Sequence, residues 1–356
     1  MEESLDNSES KRPQFGTRHL SDPQNVFQHN ACWFSRLHFC YDHTKFRKKP
    51  SIEENGDGRI LKNQDDLWQH NAWDNVVWGD EQMREAEAKL KLNSSSFMEE
   101  EAALKYEKEA SQFWDRFYST HENKFFKDRH WLFTELPELS EEQQTENPSE
   151  KEINTAGFPC QAAGFRILEV GCGTGSTVFP LLEANTLKKS FVYCCDFSPK
   201  AVELVKNNPE YDSSKCHAFI CDLSEDNIKF PFPENSLDVI LVIFVLSAIS
   251  PEKFNSTIKQ LSRQLKPGGR IFFRDYGRYD MAELRFKPGK CISDHFFVRG
   301  DGTRVYFFSQ DELRKLFEDC GLVEEQNVID RRLLVNRGKQ ITMYRVWIQC
   351  KYRKPA

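Results

Sequence analysis

The sequence predicts an α/β protein built on a mostly parallel sheet and preceded by a helical N-terminal extension. Three observations predict it. After Phe165, apolar runs of strand length alternate with helical stretches; those runs are continuously apolar, as in strands covered on both faces; and the first leads directly into a glycine-rich turn, Gly171 to Gly175. A chain of 356 residues with 39% hydrophobic residues can fill such a core. The longest apolar run, Leu237 to Ile249, is interrupted by Asp238 and falls short of the roughly 18 to 20 residues of a bilayer span, so no membrane association is expected.

Residues 1–78 read as mostly irregular, being polar and weakly periodic, with a basic stretch at Lys45 to Lys49 and a turn signal, NGDG, at Asn55 to Gly58. The first ten residues hold four acids and no base, which fits neither a secretory signal nor an Arg-rich mitochondrial presequence. The expected location is the cytoplasm, with the nucleus also open. Residues 79–137 form a helical extension: recurring apolar positions (Ala103, Tyr106, Ala110, Phe113, Trp114, Phe117, Tyr118) suggest two amphipathic helices broken near Asn93 to Ser96. His121 to Phe133 is dense in aromatics and bases. Residues 138–160 are acidic and poor in apolar residues, a surface linker ahead of the main domain, 161–356.

In that domain the strands are Arg166 to Val170, Phe191 to Cys195, His217 to Cys221, Leu237 to Ile243 and Arg270 to Asp275, with helices near 176–184, 199–207 and 251–265. A helix near Gln310 to Cys320 precedes two late strands, about Leu322 to Asp330 and Ile341 to Cys350. Eleven cysteines without regular spacing read as reduced thiols packed as small hydrophobes. The net charge of −6 conceals an asymmetry: Arg263 to Ala356 carries +8 and the preceding residues −14. A basic C-terminal third could follow a phosphate backbone, or it could be solvated charge on helix faces.

The chemistry concentrates at Leu168 to Gly175, LEVGCGTG. Glycines at Gly171, Gly173 and Gly175 let the backbone turn tightly against a ligand, and a dinucleotide fingerprint would need a further glycine where Ser176 stands. Asp196 closes the second strand, placed to accept from both hydroxyls of a ribose, and Asp222 follows the third, placed to meet an adenine amino group. Singly, each aspartate reads as readily as a helix cap; their register with the glycine turn favours one ligand crevice at the strand ends.

These features resemble the class I S-adenosylmethionine-dependent methyltransferases: E-x-G-x-G-x-G from Glu169 to Gly175, an acid ending the second strand, Asp222-Leu223 after the third, and LKPGG at Leu265 to Gly269. The resemblance covers Phe165 to Lys351 and implies a Rossmann-like seven-stranded sheet with one antiparallel strand and S-adenosyl-L-methionine as cofactor. Longer stretches (Phe125 to Glu135, Tyr193 to Lys206, Phe273 to Lys287, Phe296 to Phe308, Thr342 to Tyr352) resemble the methyltransferase-like enzymes that make 3-methylcytidine in tRNA. That family acts on the first cytidine of the anticodon loop, position 32, typically in threonine and arginine tRNAs. Some members require a partner protein such as an aminoacyl-tRNA synthetase. The resemblance implies cofactor contacts at Gly171, Asp196, Asp222 and Ile243, and a cover of Trp114 and Tyr118, four residues apart on one helix face, whose alternative is ordinary helix packing.

Methyl transfer to cytosine N3 uses a free lone pair, so it needs alignment rather than a general base. Asp275 and Asp280 are the candidate catalytic acids, placed after the fifth strand to hold the base amino group; structural hydrogen bonding is the alternative. The anticodon stem-loop would be met by aromatics and bases, with Arg129, Arg278, Arg299 and Arg304 as candidate tRNA contacts. A methyltransferase of other substrates is the competing enzyme class; the NPPY-like tetrapeptide of amide-nitrogen enzymes is absent after the fourth strand, where IFVLSA stands.

The tetrapeptide QHNA occurs at Gln28 to Ala31 and again at Gln69 to Ala72. In the resembling family the N-terminal motif is continuous, and removing Cys32 to Ala72 restores it as VFQHNAWDNVVW. The duplication therefore marks the edges of an insertion, as from an alternatively included coding segment. The insertion puts the tRNA-binding element in question and opens the reading of an inactive or partner-dependent form. Its Cys32, His38, Cys40 and His43 do not match a zinc-finger spacing, so no metal site is expected.

Overall fold

The computed structural model describes residues 59–139, 163–184 and 190–356. The first QHNA copy, Cys32 to His43, the basic stretch at Lys45 and all but the first two residues of the acidic linker lie outside them.

The described chain opens with a short strand, β1 (Ala72–Asp74), followed by α1 (Asp80–Asn93), α2 (Glu100–Lys108), α3 (Ala110–His121) and a single turn, α4 (Leu132–Glu135). The expected break after Asn93 is present, and a second at Glu109 separates α2 from α3. Asn93 is buried and donates to the carbonyl of Glu283, which anchors the end of α1 to the main domain.

The main domain alternates strands and helices: β2 (Phe165–Val170), α5 (Val178–Glu183), β3 (Ser190–Asp196), α6 (Pro199–Lys206), β4 (Cys216–Ile220), β5 (Leu237–Ile243), α7 (Phe254–Gln264) and β6 (Leu265–Tyr276). A small antiparallel sheet follows, β7 (Cys291–Ser293), β8 (Phe296–Val298) and β9 (Arg304–Tyr306), which the sequence reading left unassigned. Then come α8 (Gln310–Asp319), β10 (Val323–Asn336) and β11 (Ile341–Arg353). Local chemistry sets the helix starts. Ser198 accepts from the Ala201 N–H ahead of Pro199 at the first turn of α6, and Ser309 and Glu312 form a reciprocal capping box on α8.

The large sheet has the order β1-β10-β11-β6-β5-β2-β3-β4. Seven of these strands are those the resemblance implies, with β11 antiparallel between β10 and β6; β1 is added outside them, antiparallel to β10. One face, carrying Leu168, Ile240 and Phe273, packs against α7 and α8; the other, carrying Ile167, Leu241 and Phe272, packs against α4, α5 and α6.

The second QHNA copy is the one built into the sheet. Asn71 accepts from the Val335 N–H at 2.8 Å, and Trp73 lies buried against Leu67, Leu333 and Val335 with its indole N–H on the Leu67 carbonyl at 2.9 Å. Removing residues 28–68 leaves the same sequence as removing Cys32 to Ala72. Ala72, the last residue of the expected insertion, pairs with Leu334 of β10, and Leu67 within that insertion packs on Trp73.

No helix among the described residues is long and apolar enough to cross a membrane, and no described group of His, Cys, Asp and Glu could hold a metal ion. The described cysteines are free thiols.

Candidate active site

Residues Gly171, Gly173 and Gly175 all take left-handed φ, +58°, +53° and +92°, so each tolerates a conformation that a side chain would strain. A Cβ on Gly173 would sit 2.9 Å from the Tyr118 hydroxyl and one on Gly175 2.3 Å from the Phe179 ring. The turn is tied to the neighbouring strand ends: Cys172 N–H donates to the Cys195 carbonyl at 2.9 Å, and Cys221 N–H to that of Asp196 at 3.0 Å. The three strand ends therefore meet in one crevice.

Asp196 is buried at its centre. One carboxylate oxygen accepts from Gly173 N–H at 2.9 Å and the other from Ser198 N–H at 3.0 Å, which leaves each oxygen a further lone pair. Burial pushes its carboxyl up to about 6, against the pull of those two N–H groups. Asp222 is half-buried, with one oxygen holding both the backbone N–H and hydroxyl of Ser224.

Helix α3 covers the turn. Trp114 stacks on Tyr118 with ring centroids 5.7 Å apart, and the buried Tyr118 lies over Gly173. Burial, then the charge of Asp196, raises the Tyr118 hydroxyl well above its ordinary pKa. Asp115 docks the helix by accepting from the Ser198 hydroxyl and from Lys200 N–H, a tie that sequence reading missed because a lone helical acid carries no distinguishing signal.

Beneath the turn lies Arg129, expected as a tRNA contact. Its guanidinium instead reaches Glu169 at 3.2 Å and the Thr177 hydroxyl at 2.8 Å, and its backbone N–H holds the Ser176 carbonyl at 2.8 Å. Glu169 is fully buried; burial pushes it up to about 7 while Arg129 pulls it down, and its Oε2 has no hydrogen-bond partner. A cation and an unpartnered carboxylate oxygen thus flank the same turn.

On the far side Ile243 is buried at the end of β5, and Phe244 follows at φ +58°, strained for a bulky residue. Asp275 and Asp280 are both fully buried and bonded to protein. Asp275 accepts from the N–H groups of Ser247 and Tyr276; Asp280 accepts from Arg345 Nε and from the N–H groups of Val346 and Ala282. These hydrogen bonds tie the loop after β6 to the chain around it.

The remaining arginines divide by exposure. Arg304, expected as a tRNA contact, is buried on Glu107 and the Ala248 carbonyl at the edge of the small sheet, and burial lowers its pKa to about 10. Arg299 is half-buried over the Tyr276 ring and donates to the Arg304 carbonyl. Arg278 reaches Glu312 at 3.3 Å on a more open surface.

A family model for a methyltransferase domain matches residues 168–271. The tRNA N(3)-cytidine methyltransferase METTL2 of Xenopus tropicalis is 51% identical over 364 residues, covering 98% of this chain and 96% of its own. The tRNA(Thr) (cytosine(32)-N(3))-methyltransferase of Saccharomyces cerevisiae is 40% identical over 299 residues, covering 83% of this chain and 45% of its own. Among solved structures, a SAM-dependent methyltransferase from Methanosarcina mazei aligns with 19% identity and a TM-score of 0.41, over 53% of this chain and 92% of that one. With half its residues shared across nearly its full length, the chain belongs to the family of tRNA N(3)-cytidine methyltransferases.

Proposed function

We propose that this chain methylates N3 of the cytidine at position 32 in the anticodon loop of tRNA, in threonine and arginine tRNAs, with S-adenosyl-L-methionine as methyl donor. The observation that carries the cofactor reading is the buried, unpartnered Oε2 of Glu169 beside Arg129, under a turn that has room only for glycine. This donor set fits an amino acid. Arg129 would take the cofactor's carboxylate and Glu169 its ammonium; the spare lone pairs of Asp196 would take the ribose hydroxyls and Asp222 the adenine amino group. Trp114 and Tyr118 would close over the ligand from α3.

The cofactor supplies an electrophilic methyl group. What the chain's residues supply is alignment and exclusion of water, since cytosine N3 needs no deprotonation before attack. The buried strand ends around Ile243 and Tyr276 provide a dry site for it.

The test is transfer from labelled S-adenosylmethionine onto total tRNA from cells lacking 3-methylcytidine, with the nucleoside identified by mass spectrometry. A 3-methylcytidine product establishes the activity. Product only after adding cell extract identifies a partner-dependent enzyme, as in family members that work with an aminoacyl-tRNA synthetase; no product in either case rejects the enzymatic reading.

A further inference from the structure

The wing of the sheet beyond Tyr276 holds polar groups that the cofactor crevice does not use. Register places Tyr276 of β6 beside Trp347 of β11, Trp347 beside Asp330 of β10, and Arg345 beside Arg332, on the face that Trp131 covers. Trp347 is 8% exposed and surrounded by guanidiniums: Arg345, Arg274 and Arg332 lie 4.9, 5.1 and 5.7 Å from its ring. Its ring N–H nevertheless has no acceptor among the described residues, and neither has Nη2 of Arg345, a side chain 3% exposed. Buried donors without acceptors are rare in folded proteins and call for an explanation.

Arg345 is fixed in place, because its Nε donates to Asp280 at 2.8 Å. Phe244, half-exposed and held left-handed directly after Ile243, turns its ring to within 5.0 Å of Tyr276. An aromatic row, Phe244, Tyr276 and Trp347, thus runs from the reacting end of the crevice to two orphaned N–H donors. A ligand that suits it has a flat π face and a neutral acceptor able to take two N–H bonds, which describes a pyrimidine carbonyl.

We propose that Trp347 Nε1 and Arg345 Nη2 donate to O2 of the target cytosine, with Phe244 as its stacking face and Asp280 as the residue that positions Arg345. The proposal rests on the functional reading above and deepens it. O2 adjoins N3 in the ring, so holding O2 sets the in-plane direction of the N3 lone pair.

The experiment compares tRNAs carrying cytidine or 2-thiocytidine at the target position, since sulfur is a weak acceptor, against the wild type, Trp347→Phe and Arg345→Gln. Wild-type kcat/KM is expected to fall about three- to tenfold on the sulfur substrate, and each variant to fall about as far on cytidine. Each variant should then show little further loss on 2-thiocytidine, with S-adenosylhomocysteine affinity unchanged by calorimetry. A full sulfur penalty persisting in both variants would mean that the two side chains only pack. No sulfur effect in the wild type, with a reduced salt slope in Arg345→Gln, would point to a phosphate and overturn the proposal. Should the wild type form no 3-methylcytidine, the enzymatic reading fails separately, and the same three proteins are compared by fluorescence anisotropy on the two RNAs. An affinity difference that Trp347→Phe abolishes then upholds the O2 contact, and equal affinities reject it.

Discussion

At the scale of single residues, Glu169 carries two pH effects of opposite sign. Its carboxyl is raised from an ordinary 4.5 to about 7 by burial, so between those values the folded chain keeps a proton that the unfolded chain has released. Its contribution to stability is complete below 4.5 and is lost as pH rises through about 7, a change of roughly 3 kcal/mol. Urea unfolding across that window should show the decline, and Glu169→Gln should make it shallower by roughly a third, leaving the comparable parts of Asp196 and Asp275, both raised to about 6 by burial. Cofactor affinity should move the other way, since the ionised form is the one that holds an ammonium: S-adenosylhomocysteine binding should tighten up to pH 7, level off above it, and lose this dependence in Glu169→Gln. Gly175→Ala tests the turn. With a left-handed φ and a Cβ 2.3 Å from Phe179, it should cost about 2–4 kcal/mol, read as a lowered midpoint of unfolding. The glycines and Asp196 were legible in the sequence because spacing alone sets them at strand ends. The partners of Arg129 and Arg304 were not, because an arginine reads as charge and only the fold reveals that it is buried.

At the scale of elements, β1 shows how three residues can matter. Trp73 fills a pocket between Leu67 and β10, and Trp73→Ala should cost about 3–4 kcal/mol. Thermal unfolding checks it, and an unchanged midpoint would mean that β1 is not held in solution. Removing residues 32–72 restores the strand through the surviving Gln28 to Ala31 but takes away Leu67, so the unfolding midpoint should fall by part of the Trp73→Ala loss. Most of the elements could be read from apolar runs: β2 to β6, α5 to α8 and the late hairpin appear within a few residues of expectation. The elements that escaped, β1 and the β7 to β9 sheet, have strands of three residues each, too short for a period-2 pattern, and they exist through partners distant in sequence.

At the scale of the whole molecule, the basic C-terminal third is partly internal. Arg274, Arg304, Arg332 and Arg345 are buried, so under the proposed function the tRNA phosphates would be met by exposed cations such as Lys124, Lys127, Lys287, Arg337 and Lys339. The double variant Lys124→Glu and Lys127→Glu should lower the salt slope of tRNA binding by about 2. Arg304→Glu should instead lower the unfolding midpoint, since it sets a like charge against Glu107; an unchanged midpoint with a lower slope would return Arg304 to the RNA surface. The pairing of Ala72 with Leu334 has a further consequence, for synthesis. The ribosome delivers residues in order, so the segment around Trp73 emerges early and waits without its partner until β10 has left the exit tunnel. Asn93 waits likewise for Glu283, and Glu107 for Arg304. Helix α3 and Arg129 meet their partners early, on α6 and β2, but β1, α1 and α2 are made first and dock last, and a nascent chain halted before Val323 should expose Trp73 to any chaperone that reads apolar segments.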